Sequence, residues 1–207
     1  MVTRKSGRKN LFIIDGYAVL YRSHFALIRN PLITSYGLHT SALFGFSNHI
    51  LKLLRDENPD YIACAFDSKE KTFRHKRYPA YKANRPEMPA ELQDQLPHLW
   101  ELLEAMNIPV LKKPGVEADD IIGTLAQTAS SEDMKVFIVS GDKDFMQLID
   151  DQIFLYSPGK RSSAPVIYNH QGVVDKWGVP PEKIIDLFGL MGDSSDNIPG
   201  VAGVGVK

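Results

Sequence analysis

Nine acidic residues carry the chemistry open to this chain: Asp15, Asp67, Glu117, Asp119, Asp120, Asp142, Asp144, Asp193 and Asp196. Asp15, Asp67 and Asp142 each follow a short apolar run, LFII, YIACAF and VFIVSG respectively. Glu117, Asp119 and Asp120 open a helix-period segment, where Glu117 and Asp120, three apart, can share a face. A helix N-terminus relieves only about 0.3–1 kcal/mol per carboxylate. Two carboxylates ~4 Å apart repel by roughly 4 kcal/mol at an effective dielectric of 20. Converging carboxylates must therefore protonate or bind cations. An all-oxygen donor set without cysteine points to Mg²⁺ or Mn²⁺ rather than zinc. Singly, each acid has a plainer reading: Asp15 as a turn residue, Glu117-Ala-Asp-Asp as an acidic helix start, Asp142-Lys-Asp as a cap for Phe145–Ile149, Asp193 and Asp196 as loop formers. Nine acids at matching strand ends and helix starts are not explained that way.

The bases are arranged as a complement. Lys69–Arg85 reads KEKTFRHKRYPAYKANR, with Lys69, Lys71, Arg74, Lys76, Arg77, Lys82 and Arg85 against Glu70, and with Phe73, Tyr78 and Tyr81 interleaved. The formal net charge is −1, yet setting the nine acids aside leaves 16 acids against 24 bases. A basic body around an acidic focus suits a polyanion held over metal ions. The aromatic and basic alternation suits a single strand threading past.

Other chemistries lack their residues. The six histidines form no HxxxH or HxxH pair, and Cys64, the single cysteine, sits inside an apolar run. No GxSxG elbow occurs. The glycine-rich end Gly200–Lys207 is not a Walker motif, because Val206 separates Gly205 from Lys207. No apolar run approaches the ~18 residues of a membrane span. The basic start (Arg4, Lys5, Arg8, Lys9) leads into an apolar stretch too short for the at least ~7 residues of a secretory core, which predicts a cytoplasmic protein.

These groups need a frame. Leu11–Ile14, Tyr61–Phe66, Val110–Leu111 and Val136–Val139 are apolar throughout, as strands buried on both faces are. Leu43–Leu54, Leu92–Met106 and Ala118–Ala129 repeat apolar residues at three and four, the helical period. Ile153–Tyr156 and Val166–Tyr168 read as strands flanking the Ser157–Pro165 turn, and a helix runs from Pro180–Pro181 to about Met191. The alternation predicts an α/β fold with a mostly parallel central sheet and helices on both faces. Asp15, Asp67 and Asp142 then stand at the carboxyl ends of its strands, where such sheets place ligands. With 207 residues, folding can bury roughly 70% of the unfolded surface.

Ile14-Asp-Gly, Phe66-Asp67, Thr72-Phe-Arg74, Tyr81-Lys-Ala-Asn-Arg85, Gly115-Val-Glu-Ala-Asp-Asp120, Ser140-Gly-Asp-Lys-Asp144 and Met191-Gly-Asp-Ser-Ser-Asp-Asn-Ile-Pro-Gly200, in that order, resemble the flap endonuclease family, specifically the 5′-nuclease domains of bacterial DNA polymerases I. The resemblance runs from about Leu11 to Lys207. It implies a PIN-like core over 1–185, with a basic helical-arch segment at 69–98, and a truncated start of a duplex-gripping helix–hairpin–helix at 186–207. It also implies a monomeric, structure-specific 5′-nuclease acting on DNA with 5′ flaps or nicks and on RNA primers in replication and repair. Asp15, Asp67, Glu117 and Asp119, with Asp120 beside them, would hold one Mg²⁺ or Mn²⁺. Asp142, Asp144, Asp193 and Asp196 would hold or organise the second. Lys82 and Arg85 would steer the scissile phosphate, and Tyr21 and Tyr81 would stack on bases. Arg74, Lys76 and Arg77, with Gly200, Gly203 and Gly205 of the hairpin, would contact DNA, the hairpin through a monovalent cation. Two metals ~3.5–4 Å apart can activate water and stabilise the leaving 3′ oxygen, so no side-chain nucleophile is needed.

The chain ends at Lys207 as the next helix should begin, which implies either a fragment of a larger polymerase polypeptide or a curtailed stand-alone nuclease. Two other readings stand beside the nuclease: a flap-binding module without turnover, and a small-molecule phosphohydrolase, for which the Lys69–Arg85 run has no purpose.

Overall fold

A computed structural model describes residues 7–159 and 163–205. Arg4 and Lys5, the centre of the Ser157–Pro165 turn, and Val206 and Lys207 lie outside the described residues. Among the described residues six strands form one sheet: β1 (Asn10–Asp15), β2 (Tyr61–Ala65), β3 (Val110–Leu111), β4 (Lys135–Val139), β5 (Ile153–Ser157) and β6 (Val166–Tyr168), in the order β3-β2-β1-β4-β5-β6. The first five are parallel, and β6 runs antiparallel to β5. The order reverses at β1, so the loops after β1 and β4 diverge and open a crevice at the carboxyl edge. Register aligns that edge: Asp15 lies level with Ala65, and Ile14 with Val139.

β1 shows how one sequence serves two cores, because successive side chains point to opposite faces. Leu11 and Ile13 join Val136 and Ile138 on one face, covered by α6 (Ala118–Ser131), α7 (His170–Trp177) and α8 (Ile184–Met191). Phe12 and Ile14 turn to the other, under α1 (Gly16–Ala26), α2 (Ser41–Glu57) and α5 (Leu96–Ala105). In α2 the buried Phe46, Ile50 and Leu53 fall at helical spacing. The expected α/β architecture with helices on both faces is what forms.

Four departures from the sequence expectation have physical reasons. The stretch 92–106 is two helices, α4 (Ala90–Gln93) and α5, not one. Pro97 has no N–H to give Gln93, and Gln95 turns inward instead. There its Oε1 accepts from Ala42 N (3.0 Å) and Leu43 N (3.2 Å), satisfying the first turn of α2. Phe145–Ile149 belongs to a 3₁₀ turn, Lys143–Leu148, rather than an α-helix. The last helix begins as a 3₁₀ turn at Pro181–Lys183 and becomes α8 only at Ile184. Finally, α1, α7 and the short α3 (Phe73–Arg77) were not foreseen. In α1 the crowded Ala18-Val-Leu20 hides the period, and the helix starts because Asp15 Oδ1 accepts from Ala18 N at 3.1 Å.

Gly16 opens α1 under the fully buried Phe66 ring, and a Cβ there would lie 2.2 Å from Phe66 Cε1. Gly16→Ala is expected to cost about 1–3 kcal/mol in urea unfolding through overpacking. An unchanged midpoint would show that the ring can yield.

Candidate active site

Four segments deliver carboxylates to the crevice. Asp15 ends β1, Asp67 follows β2, Asp119 lies in the first turn of α6 and Asp142 follows β4; all four line one cleft of about 770 Å³. Three of the four are fixed by hydrogen bonds. Besides capping α1, Asp15 accepts from Ser140 Oγ at 2.9 Å, and Ser140 Oγ accepts in turn from Asp142 N at 3.1 Å. Asp67 Oδ1 accepts from Ala118 N at 2.8 Å, tying β2 to the start of α6. Asp142 Oδ1 accepts from Asp144 N at 2.9 Å, so it is a cap and a cleft residue together. Fully buried Ser140 holds two of these acids in place. Its motif was visible in the sequence, but nothing there gave it a role.

The other five acids face cations. Glu117, 4% exposed, accepts from Lys82 Nζ at 2.9 Å, Tyr81 OH at 3.0 Å and Thr72 Oγ1 at 3.0 Å. Asp120 forms a two-pronged pair with Arg74 at 2.7 and 2.8 Å, and Arg74 also lies 3.7 Å from Glu117. Lys143 bridges Asp193 (2.6 Å) and Asp144 (3.1 Å), and Arg85 pairs with Asp196. Thr72 and Lys143 escaped sequence reasoning, since lone hydroxyls and lysines carry no signal without their partners.

Burial and neighbouring charge set the titration of six of these acids. Burial pushes the Asp119 carboxyl up to about 8, helped by Asp15, Asp142 and Asp67 and opposed by Lys82. Burial likewise raises Asp15 to about 6, against the bonds from Ala18 and Ser140. Burial raises Asp144 too, with Asp142 beside it. Burial also opposes ionisation of Glu117, but Lys82, Tyr81 and Arg74 together overcome it and lower its pKa. Arg74 lowers Asp120. Asp193 falls to about 2, burial being outweighed by Lys143 and Ser195.

The four cleft acids suit a hard divalent cation: all donors are oxygen, and two of them resist ionising without a counter-charge. Among the described residues no three carboxylate or imidazole groups close on one point as a ready cage. Mg²⁺ does not require one, because it keeps several waters and takes only one or two carboxylates directly.

Among the expected nucleic-acid contacts, Lys82, Arg85 and half-buried Tyr21 line the same cleft. Lys76 and Arg77 are exposed on α3. Tyr81 is corrected: its ring is 6% exposed, set edge-on to His75 at 5.2 Å with its hydroxyl on Glu117, so it presents no face for a base. Arg74 is engaged by Asp120 rather than open to a phosphate. Gly200 serves close packing, since a Cβ there would lie 2.2 Å from Met191 O. Gly203 takes φ +80°, and Gly205 stands in open space.

The crevice at the carboxyl edge of the sheet is thus lined by four acids and flanked by Lys82 and Arg85. Residues 10–178 match the 5′-3′ exonuclease, N-terminal resolvase-like domain. The chain therefore belongs to the 5′-3′ exonuclease family. It is 45% identical over 201 residues to DNA polymerase I of Bacillus subtilis, covering 97% of this chain and 22% of that protein. To the 5′-3′ exonuclease of Aquifex aeolicus it is 42% identical over 199 residues, covering 96% of this chain and 67% of that one. The chain thus spans about a fifth of the polymerase relatives it matches. Among solved structures, the bacteriophage T5 flap endonuclease in complex with DNA and metal ions superposes with TM-score 0.76 at 25% identity, covering 96% of this chain and 72% of that one. The T5 5′-exonuclease with bound zinc gives 0.75 at 25%, with the same coverage.

The raised carboxyls set a pH dependence. Asp15 and Asp119 bind protons more tightly folded than unfolded, so without metal their contribution to stability falls as pH rises from about 4 through about 6 and 8. Glu117, Asp120 and Asp193 do the opposite: their contribution is present above about pH 4–5 and is lost as pH falls below it. Mg²⁺ at 100 times its Kd at pH 8 should add about 2.7 kcal/mol there, and the same concentration should add far less at pH 5. Asp119→Asn should raise the melting temperature in EDTA at pH 8 and shrink the Mg²⁺ increment. Equal melting temperatures in EDTA and Mg²⁺ at pH 8 would contradict a dense carboxylate site.

Proposed function

We propose that this domain is a divalent-metal-dependent 5′-nuclease that cuts DNA at 5′ flaps and nicks and leaves a 5′-phosphate. The observation that carries the reading is the meeting of Asp15, Asp67, Asp119 and Asp142 with Lys82 and Arg85 in one cleft. Support comes from the flap endonuclease likeness and from relatives that are themselves a 5′-3′ exonuclease and DNA polymerases I. Mg²⁺ or Mn²⁺, held by the four cleft acids on one side and near Asp144 and Asp193 on the other, would polarise the phosphate and acidify a water.

The chain's own residues do the rest. Lys82 and Arg85 bring positive charge to the non-bridging oxygens, where charge grows in the transition state. A phosphate entering the cleft would draw these two side chains from Glu117 and Asp196, exchanging one anionic partner for another. Tyr21, half-buried on α1 at the cleft wall, offers an aromatic face to a base near the cut. Exposed Lys76 and Arg77 extend the positive track for the flap. Nothing in this scheme needs a side-chain nucleophile, and Cys64 is buried in β2.

The test is cleavage of a 5′-labelled flap duplex in Mn²⁺ and in EDTA. Metal-dependent release of a short product is expected. Asp142→Asn should lower turnover roughly 10²- to 10³-fold, the scale of losing one preorganised electrostatic group, with flap binding retained. Undiminished turnover in that variant would sink the assignment. Flap binding without cleavage at any Mn²⁺ concentration would favour the non-catalytic module, and turnover of bare phosphomonoesters the small-molecule hydrolase.

A further inference from the structure

The loop Asp193–Ile198 does something that metal holding does not explain. Its ends bond to each other, Asp193 N to Ile198 O at 2.8 Å and Ile198 N to Asp193 O at 2.7 Å. Just outside them Gly192 and Gly200 meet backbone to backbone: a Cβ on Gly192 would lie 2.2 Å from Gly200 N. This closed neck presents four successive residues to one distant segment, Tyr78–Arg85. Ser194 O accepts from Asn84 Nδ2 (2.7 Å), and Ser195 O from Arg85 Nε (3.4 Å). Asp196 O accepts from Lys82 N (3.0 Å), and the Asp196 carboxylate takes the Arg85 guanidinium. Asn197 O accepts from Tyr78 OH (3.2 Å), while Asn197 Nδ2 donates to Ala80 O (2.8 Å).

Most of these bonds end on loop carbonyls, which are present whatever Asp193 and Asp196 ligate. They converge on a turn under conformational strain. Lys82 has φ +56°, a left-handed value that a non-glycine residue keeps only where its surroundings impose it. Asn197 faces it with φ +58°, which asparagine tolerates better than most residues. The bond from the Lys82 amide to Asp196 O fixes the strained residue itself. From there the Lys82 side chain reaches Glu117 and the cleft. At the other end of the loop, Asp193 is tied through Lys143 to Asp144 in the turn after β4.

We propose that the Asp193–Ile198 loop is a clasp that positions Lys82 and Arg85 over the cleft, with Asn197 as a positioning residue that acts through Lys82. The proposal rests on the nuclease reading, and it adds a task for the loop separate from holding a metal ion. Asn197 touches neither the cleft acids nor a phosphate; its side chain serves the backbone of the turn that presents Lys82.

Asn197→Gly tests this directly, because glycine keeps the left-handed backbone and removes only the bond to Ala80 O. Two readouts apply. Amide exchange at Lys82 in the free protein should speed up about tenfold or more, since a protecting clasp is weakened. On a flap duplex, kcat should fall about ten- to a hundredfold with little change in KM, the scale of a small misplacement at the reacting centre. In a Lys82→Ala background the same substitution should cause no further loss. Unchanged exchange at Lys82 would overturn the clasp whether or not the protein cleaves DNA. Additive losses in the double variant would overturn positioning through Lys82. A parent protein that fails to cleave, while Asn197→Gly speeds exchange, would remove the nuclease reading and leave the clasp. If Asn197→Gly fails to fold, Asn84→Ala, at an exposed residue, should shift exchange in the same direction, and no shift would count against the proposal.

Discussion

Asp119 sits where burial, Asp15, Asp142 and Asp67 all oppose its ionisation, and its carboxyl is held near 8. Asp15, at the end of the central strand, is held near 6 for the same leading reason. Two acids kept this far above their ordinary range destabilise the ionised apo form near neutral pH. The sheet tolerates Asp15 because Ser140 and Ala18 supply compensating donors, and Asp119 stands at the same edge near Lys82. A divalent cation would supply the counter-charge, and affinity for metal and instability without it would then be two aspects of one crowding.

The remaining acids show how the fold limits that crowding. Glu117, Asp120, Asp193 and Asp196 each lie against a lysine or arginine. These pairs join elements far apart in sequence: Arg74 and Lys82 to the start of α6, Lys143 and Arg85 to the loop after α8. The basic residues that a polyanion would meet are thus held at the cleft by the acids around it. Substrate phosphates and metal ions would compete for partners already in place, which ties the two binding events to the same set of ion pairs.

Much of this was legible in the sequence. Buried parallel strands are apolar throughout, so β1, β2 and β4 stood out, and the acids that close them marked the carboxyl edge. What escaped has a common cause: it depends on partners distant in the chain. Gln95 breaks a helix because α2 has unpaired N–H groups 53 residues earlier. Ser140 is an ordinary serine until Asp15 lies across from it. Tyr81 reads as an exposed aromatic in a basic run, yet Glu117, 36 residues on, draws it inward. The spacing of nine acids could not say which four share a cleft and which five are paired with cations, because both kinds follow strands or open helices. Nor could it show the contacts between Asp193–Ile198 and Tyr78–Arg85, which involve mainly backbone carbonyls.

Calorimetric titration with Mg²⁺ at pH 7, in two buffers of different ionisation enthalpy, tests the central claim most directly, because it counts the protons that metal displaces. Asp119 near 8 and Asp15 near 6 predict the release of about one proton per protein at pH 7. Most of that release should vanish in Asp119→Asn. Saturable Mg²⁺ binding with no proton release, or with the same release in Asp119→Asn, would contradict the account.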